Sequence, residues 1–491
     1  MDFEKVTPES VGISSADIEK FAEALDSHGL TTHSFMIVKD GKCACEYYYK
    51  PFHKNFRHRM YSVSKSFVSA AIGILQGEGK ISLSDKVYTF FPEYDPKNLH
   101  PYLLDTTIRD LLMMASPFDK PSYSKPIKEM LTSKESWIST FFTVEPNHPA
   151  GTVFKYDTAG TYILDVIVER VTGMPFMDYL YEKALKHIGF SENVQCIKAP
   201  EGYSWGGSGV LCTMGDLASF AYMFLKGGMG YIPADYAKAA ISKQIDNYDG
   251  HTRNHFYGYG YQFFCSHEGS FSLNGMGNQH AVCYPDKDLM FIINSDNQGY
   301  ENCDVMIFEL FTNYILKNLS PTPLPENKKA HESLESKMAN KEILKTPGKA
   351  HSPEFEKKYG GKRFAMNNNP MGIKWFELDF SEEHGIFRYE NDRGIKEIPF
   401  GYQEHFETQF PETHYFGDAI RKPLGRGYRC FSCGGWVEEH KLNIKTNIID
   451  DYMANMLTTV SFKGNEVTLF MRKNAEWFLL EYQGCAGGKI L

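Results

Sequence analysis

Tyr61-Ser62-Val63-Ser64-Lys65 is the stretch on which the reading of this chain turns. Beyond it, Phe67, Val68, Ala71, Ile72 and Leu75 recur at helical spacing, and Gly77 and Gly79 offer a stop before Lys80. A tight turn that becomes the first turn of an apolar helix is therefore expected. Residues three apart on a helix share a face, which brings the Lys65 amine beside the Ser62 hydroxyl. A serine hydroxyl is a poor nucleophile at neutral pH and needs an adjacent base, a part lysine fills where its surroundings favour the neutral amine. The positive end of a helix dipole suits a serine that must carry developing negative charge, and it disfavours a nearby ammonium. Ser62 reads as a nucleophile and Lys65 as its base.

The S-x-x-K pattern is short, and the chain holds it twice. The second copy, Ser122-Tyr123-Ser124-Lys125, stands between Pro121 and Pro126 in a polar stretch, where proline disfavours the helix that gives the spacing its meaning. It reads as a loop.

The 491 residues suggest two or three domains, and 42% hydrophobic with 23% charged residues is the mixture of a globular protein with a large core. A net charge of -9 argues against a general binder of nucleic acid or anionic membrane, and favours chemistry on a small molecule or short peptide. No apolar run of signal-peptide type follows Met1-Asp2-Phe3-Glu4-Lys5, and nowhere do eighteen apolar residues run together, so a cytoplasmic protein is expected. The 10 cysteines are spread along the chain, with reduced thiols as the default. Cys430-Phe431-Ser432-Cys433 has half of a zinc-site spacing without a second half, and Cys43 and Cys45 alternate on one side of an expected strand. Both pairs read as small buried apolar residues, and neither a metal nor an organic cofactor is expected.

In chain order, Asp17 to Leu25 is amphipathic, and His33 to Tyr49 forms a hairpin about Asp40-Gly41, the residue pair that suits a two-residue turn. Thr107 is placed to cap a helix over Ile108 to Met114. The proline- and aromatic-rich stretch from Pro117 to Pro149 reads as a wall or lid over a cleft. Gly151 to Gly160, containing Tyr156, is turn-like and feeds a long helix with Ile163, Leu164, Ile167, Val168 and Val171. Gly206-Gly207 precedes another helix through Asp216-Leu217-Ala218. The period then changes: Tyr257 to Phe264, Gln279 to Tyr284 and Leu289 to Ser295 read as strands, so one sheet is assembled from both ends of a domain.

Ser320-Pro321-Thr322-Pro323-Leu324-Pro325 marks a boundary, followed by the highly charged Lys328 to Lys349. Later, Ile373 to Asp379, Gly385 to Tyr389, Leu442 to Lys445, Thr459 to Phe462, Glu466 to Arg472 and Trp477 to Tyr482 read as strands of an antiparallel meander or barrel. Lys463-Gly464-Asn465 and Lys473-Asn474-Ala475 are its hairpin turns. Trp375, Trp436 and Trp477 suit its core better than a ligand site. The expected division is residues 1–318, a linker at 319–350, and a β-rich domain at 351–491.

Several stretches, in order, resemble the serine beta-lactamase and penicillin-binding-protein-like family, in particular its class C-like, esterase and aminohexanoate-dimer hydrolase branches. The likeness covers roughly residues 5–318 and rests on Ser62-Val63-Ser64-Lys65, on Tyr156-Asp157-Thr158, and on the framework of Thr107 to Leu112, Gly206-Gly207 and Asp216-Leu217-Ala218. It implies an α/β (α+β) beta-lactamase-like catalytic domain, an antiparallel sheet flanked by helices plus a helical subdomain, ahead of the C-terminal all-β meander or barrel-like domain. It further implies an acyl-enzyme on Ser62, with Lys65 taking or relaying its proton and Tyr156 assisting and protonating the leaving group. The Ser62 N–H and one from Gly275 to Asn278 would form the oxyanion hole. The family's third motif usually begins with Lys or His; here stands Leu273-Asn274-Gly275-Met276-Gly277-Asn278-Gln279, with Thr158, Asn274, Gly275, Met276, Gly277 and Gln279 as candidate substrate contacts. Without that cation, the usual anchor for the carboxylate of a beta-lactam or peptide C-terminus is missing, although an arginine elsewhere could replace it. The leading expectation is an ester or amide hydrolase. A beta-lactamase or D-amino-acid peptidase, an acyltransferase, and a non-catalytic sensor of the same fold are the alternatives, and the oligomeric state is left open.

Overall fold

A computed structural model of the chain describes residues 1–119, 136–192, 194–248, 257–412, 426–476, 479 and 481–491. The second S-x-x-K copy at Ser122 to Lys125 lies outside them. Two compact units emerge. The first takes in Met1–Asn297 and Glu301–Ile343, and the second takes in Gln298–Tyr300 and the described residues from Leu344 on.

In the first unit, β1 (Glu4–Lys5), β2 (Thr32–Lys39) and β3 (Lys42–Tyr48) come from the N-terminal side; β7 (Phe264–Cys265), β8 (Phe271–Gly275), β9 (Gln279–Tyr284) and β10 (Leu289–Ser295) come from far downstream. They form one sheet in the order β1-β3-β2-β10-β9-β8-β7, so the expected assembly from both ends is what the chain does. Asp40 and Gly41 take the positive φ angles of the hairpin turn. Three short strands, β4 (His58–Arg59), β5 (Gln195–Cys196) and β6 (Val210–Cys212), form a second small sheet in the order β4-β6-β5.

Helices cover the large sheet on both faces, because each face must bury its apolar residues. On one face stand α1 (Ser15–Ser27) and, later in the chain, Cys303–Tyr314; Phe21 of α1 meets Phe35, Phe291 and Phe311 edge-on at 5.5–5.9 Å. On the other side lie α2 (Ser64–Gly77), α3 (Thr158–Thr172) and α4 (Met214–Leu225), with Phe67 of α2 stacked on Phe220 of α4 at 3.9 Å. Capping boxes start two helices: Thr107 with Asp110, and Thr213 with Asp216.

The expected strand over Tyr257 to Phe264 is replaced by an irregular crossing that becomes strand only at Phe264–Cys265. The reason is where its N–H groups go. Tyr259 donates to Ile245, Tyr261 to Ala240 and Gln262 to Leu112, three separate segments instead of one ladder. Gln262 itself sits at φ +65.

The second unit contains β11 (Arg363–Met366), β12 (Trp375–Phe380), β13 (Gly385–Asn391), β14 (Gly394–Tyr402), β15 (Phe406–Phe410), β16 (Tyr428–Glu438), β17 (Lys441–Ile449), β18 (Met453–Lys463), β19 (Glu466–Asn474) and β20 (Gln483–Ile490). Nine of them close into a barrel, the last join being a short parallel pairing of β14 with β16, and β15 extends along β16. Of the expected strand at Trp477 to Tyr482, residues Trp477, Phe478 and Leu480 lie outside the description; the strand stands at Gln483–Ile490. Its Gly484, Ala486, Gly487 and Gly488 carry little strand propensity, and pairing with β11 and β19 overrides that deficit. Trp436 is buried and donates to Glu356 at 2.9 Å, and the Arg363 guanidinium lies 3.6 Å over Trp375. The cysteine pairs 43/45 and 430/433 are buried free thiols. Cutting the Phe21 contacts by Phe21→Ala should destabilise the first unit by about 3 kcal/mol, read as a fall in its urea midpoint with its spectrum otherwise native.

Candidate active site

Strand β4 ends at Arg59, and the chain then turns sharply. Met60 donates to the Val210 carbonyl at 2.8 Å, Tyr61 takes φ +49, and Tyr61–Val63 form a single 3-10 turn that runs straight into α2. A bulky residue in the left-handed region costs on the order of 1 kcal/mol or more, and the surroundings must hold it there. The Tyr61 ring is 1% exposed, with the Arg59 guanidinium 4.9 Å from its centroid. This turn leaves Ser62 half-buried while its neighbours Tyr61 and Val63 point inward.

Four serines lie in the turn and the helix it starts, and their partners separate them. Ser64 accepts a hydrogen bond from the Val210 N–H at 3.0 Å, Ser66 donates to the Gln262 carbonyl at 2.7 Å, and Ser69 bonds the Tyr236 hydroxyl at 2.9 Å; all three are buried. Ser62 instead meets the Lys65 amine, whose Nζ lies 3.0 Å from Ser62 Oγ. The same Nζ donates to the Gly207 carbonyl at 2.6 Å and stands 5.1 Å from the Tyr156 ring centroid. Burial pulls the Lys65 pKa down to about 7, against the opposing pull of the Asp157 carboxylate.

Tyr156 stacks on Phe264 at 6.0 Å and meets Tyr259 edge-on at 6.5 Å. Burial pushes its phenol up to about 12, moderated by a hydrogen bond with Ser62, so at neutral pH it carries its proton. Asp157 is the N-cap of α3, accepting from the Ala159 N–H at 2.9 Å and from the Ser116 hydroxyl at 2.8 Å. Burial raises its carboxyl to about 6. Thr158 opens α3 and packs on Gly207, where an added Cβ would lie 2.5 Å from the Thr158 methyl.

Gly275 ends β8 against the Tyr61–Val63 turn: a Cβ there would lie 2.3 Å from the Met60 carbonyl, so only glycine permits this approach. Met276 follows, and Gly277 and Asn278, both at positive φ, reverse the chain into β9. Asn274 Oδ1 pairs with His280 Nδ1 at 3.0 Å. Gln279 is fully buried, its Nε2 donating to Met276 O at 3.2 Å and Ser295 O at 2.6 Å. The structure thus brings Ser62, Lys65 and Tyr156 together, sets Thr158 and Gly275 against them as packing, and turns the donors of Gln279 into its own hairpin. Reading the sequence missed Asp157 as a buried partner of Lys65, though an aspartate just before a helix is an N-cap signal. It also missed Gln262, whose bonds to Ser66, Thr161, Leu111 and Leu112 no local pattern reveals.

Among the described residues no helix is long and apolar enough to cross a membrane. The family model described as Beta-lactamase matches residues 18–305. A curated relative, the 6-aminohexanoate-dimer hydrolase of Paenarthrobacter ureafaciens, is 28% identical over 212 residues, 40% of this chain and 53% of the relative, so the chain spans about half the length of that relative. Among solved structures, a putative 6-aminohexanoate-dimer hydrolase from Bacillus anthracis aligns with a TM-score of 0.52 at 18% identity, over 64% of this chain and 87% of that one. An octameric penicillin-binding protein homologue from Pyrococcus abyssi aligns with a TM-score of 0.50 at 18% identity, over 96% of this chain and 100% of the other. These two show a shared fold.

The buried amine makes a stability prediction. The Lys65 pKa is lower folded than unfolded, so between about 7 and the ordinary lysine value of 10.5 the unfolded chain holds a proton that the folded chain has released. Stability contributed at this site therefore rises with pH across that window. The advantage of a Lys65→Met variant over the parent in urea titrations should be largest below pH 7 and shrink from pH 7 to 9, by on the order of 1 kcal/mol per pH unit. A difference that stays flat over this range would contradict the buried-amine picture.

Proposed function

The chain belongs to the beta-lactamase family, and from that premise we propose that it is a serine hydrolase cleaving an ester or amide of a small molecule or short peptide through an acyl-enzyme on Ser62. One observation carries the reading: of the serines around the turn, Ser62 is the one whose hydroxyl meets a lysine amine, at 3.0 Å, while Ser64 and Ser66 are tied to backbone. The curated relative is named as a hydrolase, which supports hydrolysis here.

In this mechanism Ser62 Oγ forms a bond to the substrate carbonyl carbon as its proton passes to the neutral Lys65 amine. Near neutral pH that amine is close to half deprotonated, given a pKa of about 7, so it can accept a proton and later return one. The oxyanion is held by the Ser62 N–H and the N–H at Met276, which leaves the Gly275 end of β8 beside the turn. When the carbon–heteroatom bond breaks, the leaving alkoxide or amine takes a proton from Tyr156, which regains one from Lys65 through the Ser62 side. Tyr156, held protonated by burial, suits a donor better than a base. Water then attacks the acyl carbon, giving its proton to the same pair and releasing the acid and the free Ser62 hydroxyl. Leu273-Asn274 stands where the family usually places a cation, which favours substrates without a carboxylate to be anchored.

The test is adduct mapping with a fluorophosphonate probe, followed by turnover of a panel of small esters, amides and a penicillin. A single adduct on Ser62 is expected, with esters turned over and penicillin slow. Lys65→Met should lower ester turnover by about 100-fold or more and Tyr156→Phe by about 10- to 100-fold. No adduct on Ser62 together with no turnover would sink the proposal, and rapid penicillin turnover with esters ignored would replace its substrate class.

A further inference from the structure

Segment 204–210 wraps the nucleophile turn at four points. Gly207 O receives Lys65 Nζ, Ser208 O and Oγ receive the Arg59 guanidinium, the Val210 N–H reaches Ser64 Oγ, and Val210 O receives the Met60 N–H. What holds that segment is helix α3. Asp165 Oδ2 accepts the Gly206 N–H at 3.0 Å, and Glu169, one turn further along the same face, accepts the Ser204 N–H at 3.0 Å. Gly206 is pressed so closely between Asp165 and Val68 of α2 that an added Cβ would come within 3 Å of both.

Asp165 is 0% exposed, and its other oxygen has no hydrogen-bond partner among the described residues. Burying a carboxyl with half of its capacity unused is costly, and a fold alone would be served as well by an apolar side chain of the same shape. Its one described bond, to Gly206, is what the burial obtains. The groups that face it are Tyr162 and Glu169 on its own helix, and Lys198 and Cys196 from the segment beside it; those facing Lys65 are Ser62, Tyr156 and Asp157.

We propose that Asp165 is a positioning residue for the Ser62–Lys65 pair: by holding the Gly206 N–H it fixes the Gly207 carbonyl that takes one hydrogen bond of the Lys65 amine and so aims the amine at Ser62. The inference rests on the reading of Ser62 as nucleophile and Lys65 as base. Asp165 touches neither substrate nor the reacting atoms. Its effect runs through a backbone carbonyl, so the acceptor oxygen matters and the charge does not.

Two readouts on the full chain test it across pH 5.5–9.5. One is the rate of fluorophosphonate labelling at Ser62. The other is the rate of cyanate carbamylation at Lys65, read by mass spectrometry, which titrates the amine whether or not Ser62 reacts. In the parent both should rise through an inflection near pH 7. Asp165→Leu, similar in shape but without an acceptor, should move the Lys65 inflection downward by about one pH unit, because a fixed carbonyl acceptor favours the ammonium over the amine, and should slow Ser62 labelling at pH 7.5 by about tenfold, because the amine is no longer aimed at Ser62. Asp165→Asn, which keeps an oxygen for Gly206, should stay within about threefold of the parent. If the leucine variant does not fold, Asp165→Ser, too short to reach Gly206, must show the same shift. Leucine or serine profiles that superimpose on the parent overturn the proposal, as does an asparagine variant that loses as much as they do. A parent chain without label on Ser62, but with a Lys65 titration still moved by Asp165→Leu, would sink the hydrolase reading and leave the hold of Asp165 on Lys65 standing.

Discussion

Taking an amine out of water is the constraint around which the first unit is built. An ammonium buried on a helix beside apolar residues would be prohibitively costly, and the protein reduces that cost by letting Lys65 lose its proton near neutrality. Its hydrogen bonds then have to come from neutral acceptors, the Ser62 hydroxyl and the Gly207 carbonyl. The one nearby carboxylate, Asp157, spends its oxygens on the start of α3 and on Ser116, so it acts on Lys65 through its field rather than through a direct ion pair. A full salt bridge would have held the lysine protonated. The compact geometry of the turn, with Tyr61 forced into the left-handed region and Gly275 stripped of a side chain, follows from fitting serine, lysine and strand edge into one small volume.

How much of this could be read from the sequence depended on how local each signal was. The turn-to-helix character at Ser62, the Asp40-Gly41 hairpin, the Thr107 cap and the joining of early with late strands are encoded within a few residues each, and the structure agrees with them. The irregular crossing at Tyr257 to Gln262 was not legible, because its backbone partners are residues 112, 240 and 245, and an apolar run alone cannot tell a ladder from scattered acceptors. Likewise β20, rich in glycine, is a strand because β11 and β19 make it one. At the candidate site, the S-x-x-K spacing named the right pair of side chains to find together, but which of the neighbouring serines are structural became clear only from Val210 and Gln262, which come from distant segments.

The second unit shows the same division between local and long-range information. Alternation in β12, β13 and β17 to β19 announced strands, and the charged, buried end of the barrel was silent in sequence. Lys473, fully buried, is paired with Glu481 at 3.0 Å, and Glu412 gathers Tyr482, Asn391 and Arg393 within 3.1 Å. Lys473 and Asn391 stand on strands and Glu412, Glu481 and Tyr482 just outside them, none with a local pattern that announces burial, and mutual satisfaction makes that burial tolerable.

The sheet order described above also sets a timetable for synthesis. Strand β2 lies between β3 and β10, and β10 leaves the ribosome only after nearly all of the first unit has been made. Until then β2 has one open edge, and the Gly275 edge of the candidate site does not yet exist beside Ser62. Such distant pairings fold slowly and leave strand edges exposed meanwhile. A nascent chain therefore carries its serine and lysine for most of translation without the buried surroundings that the folded unit gives them, and those surroundings arrive together with closure of the sheet.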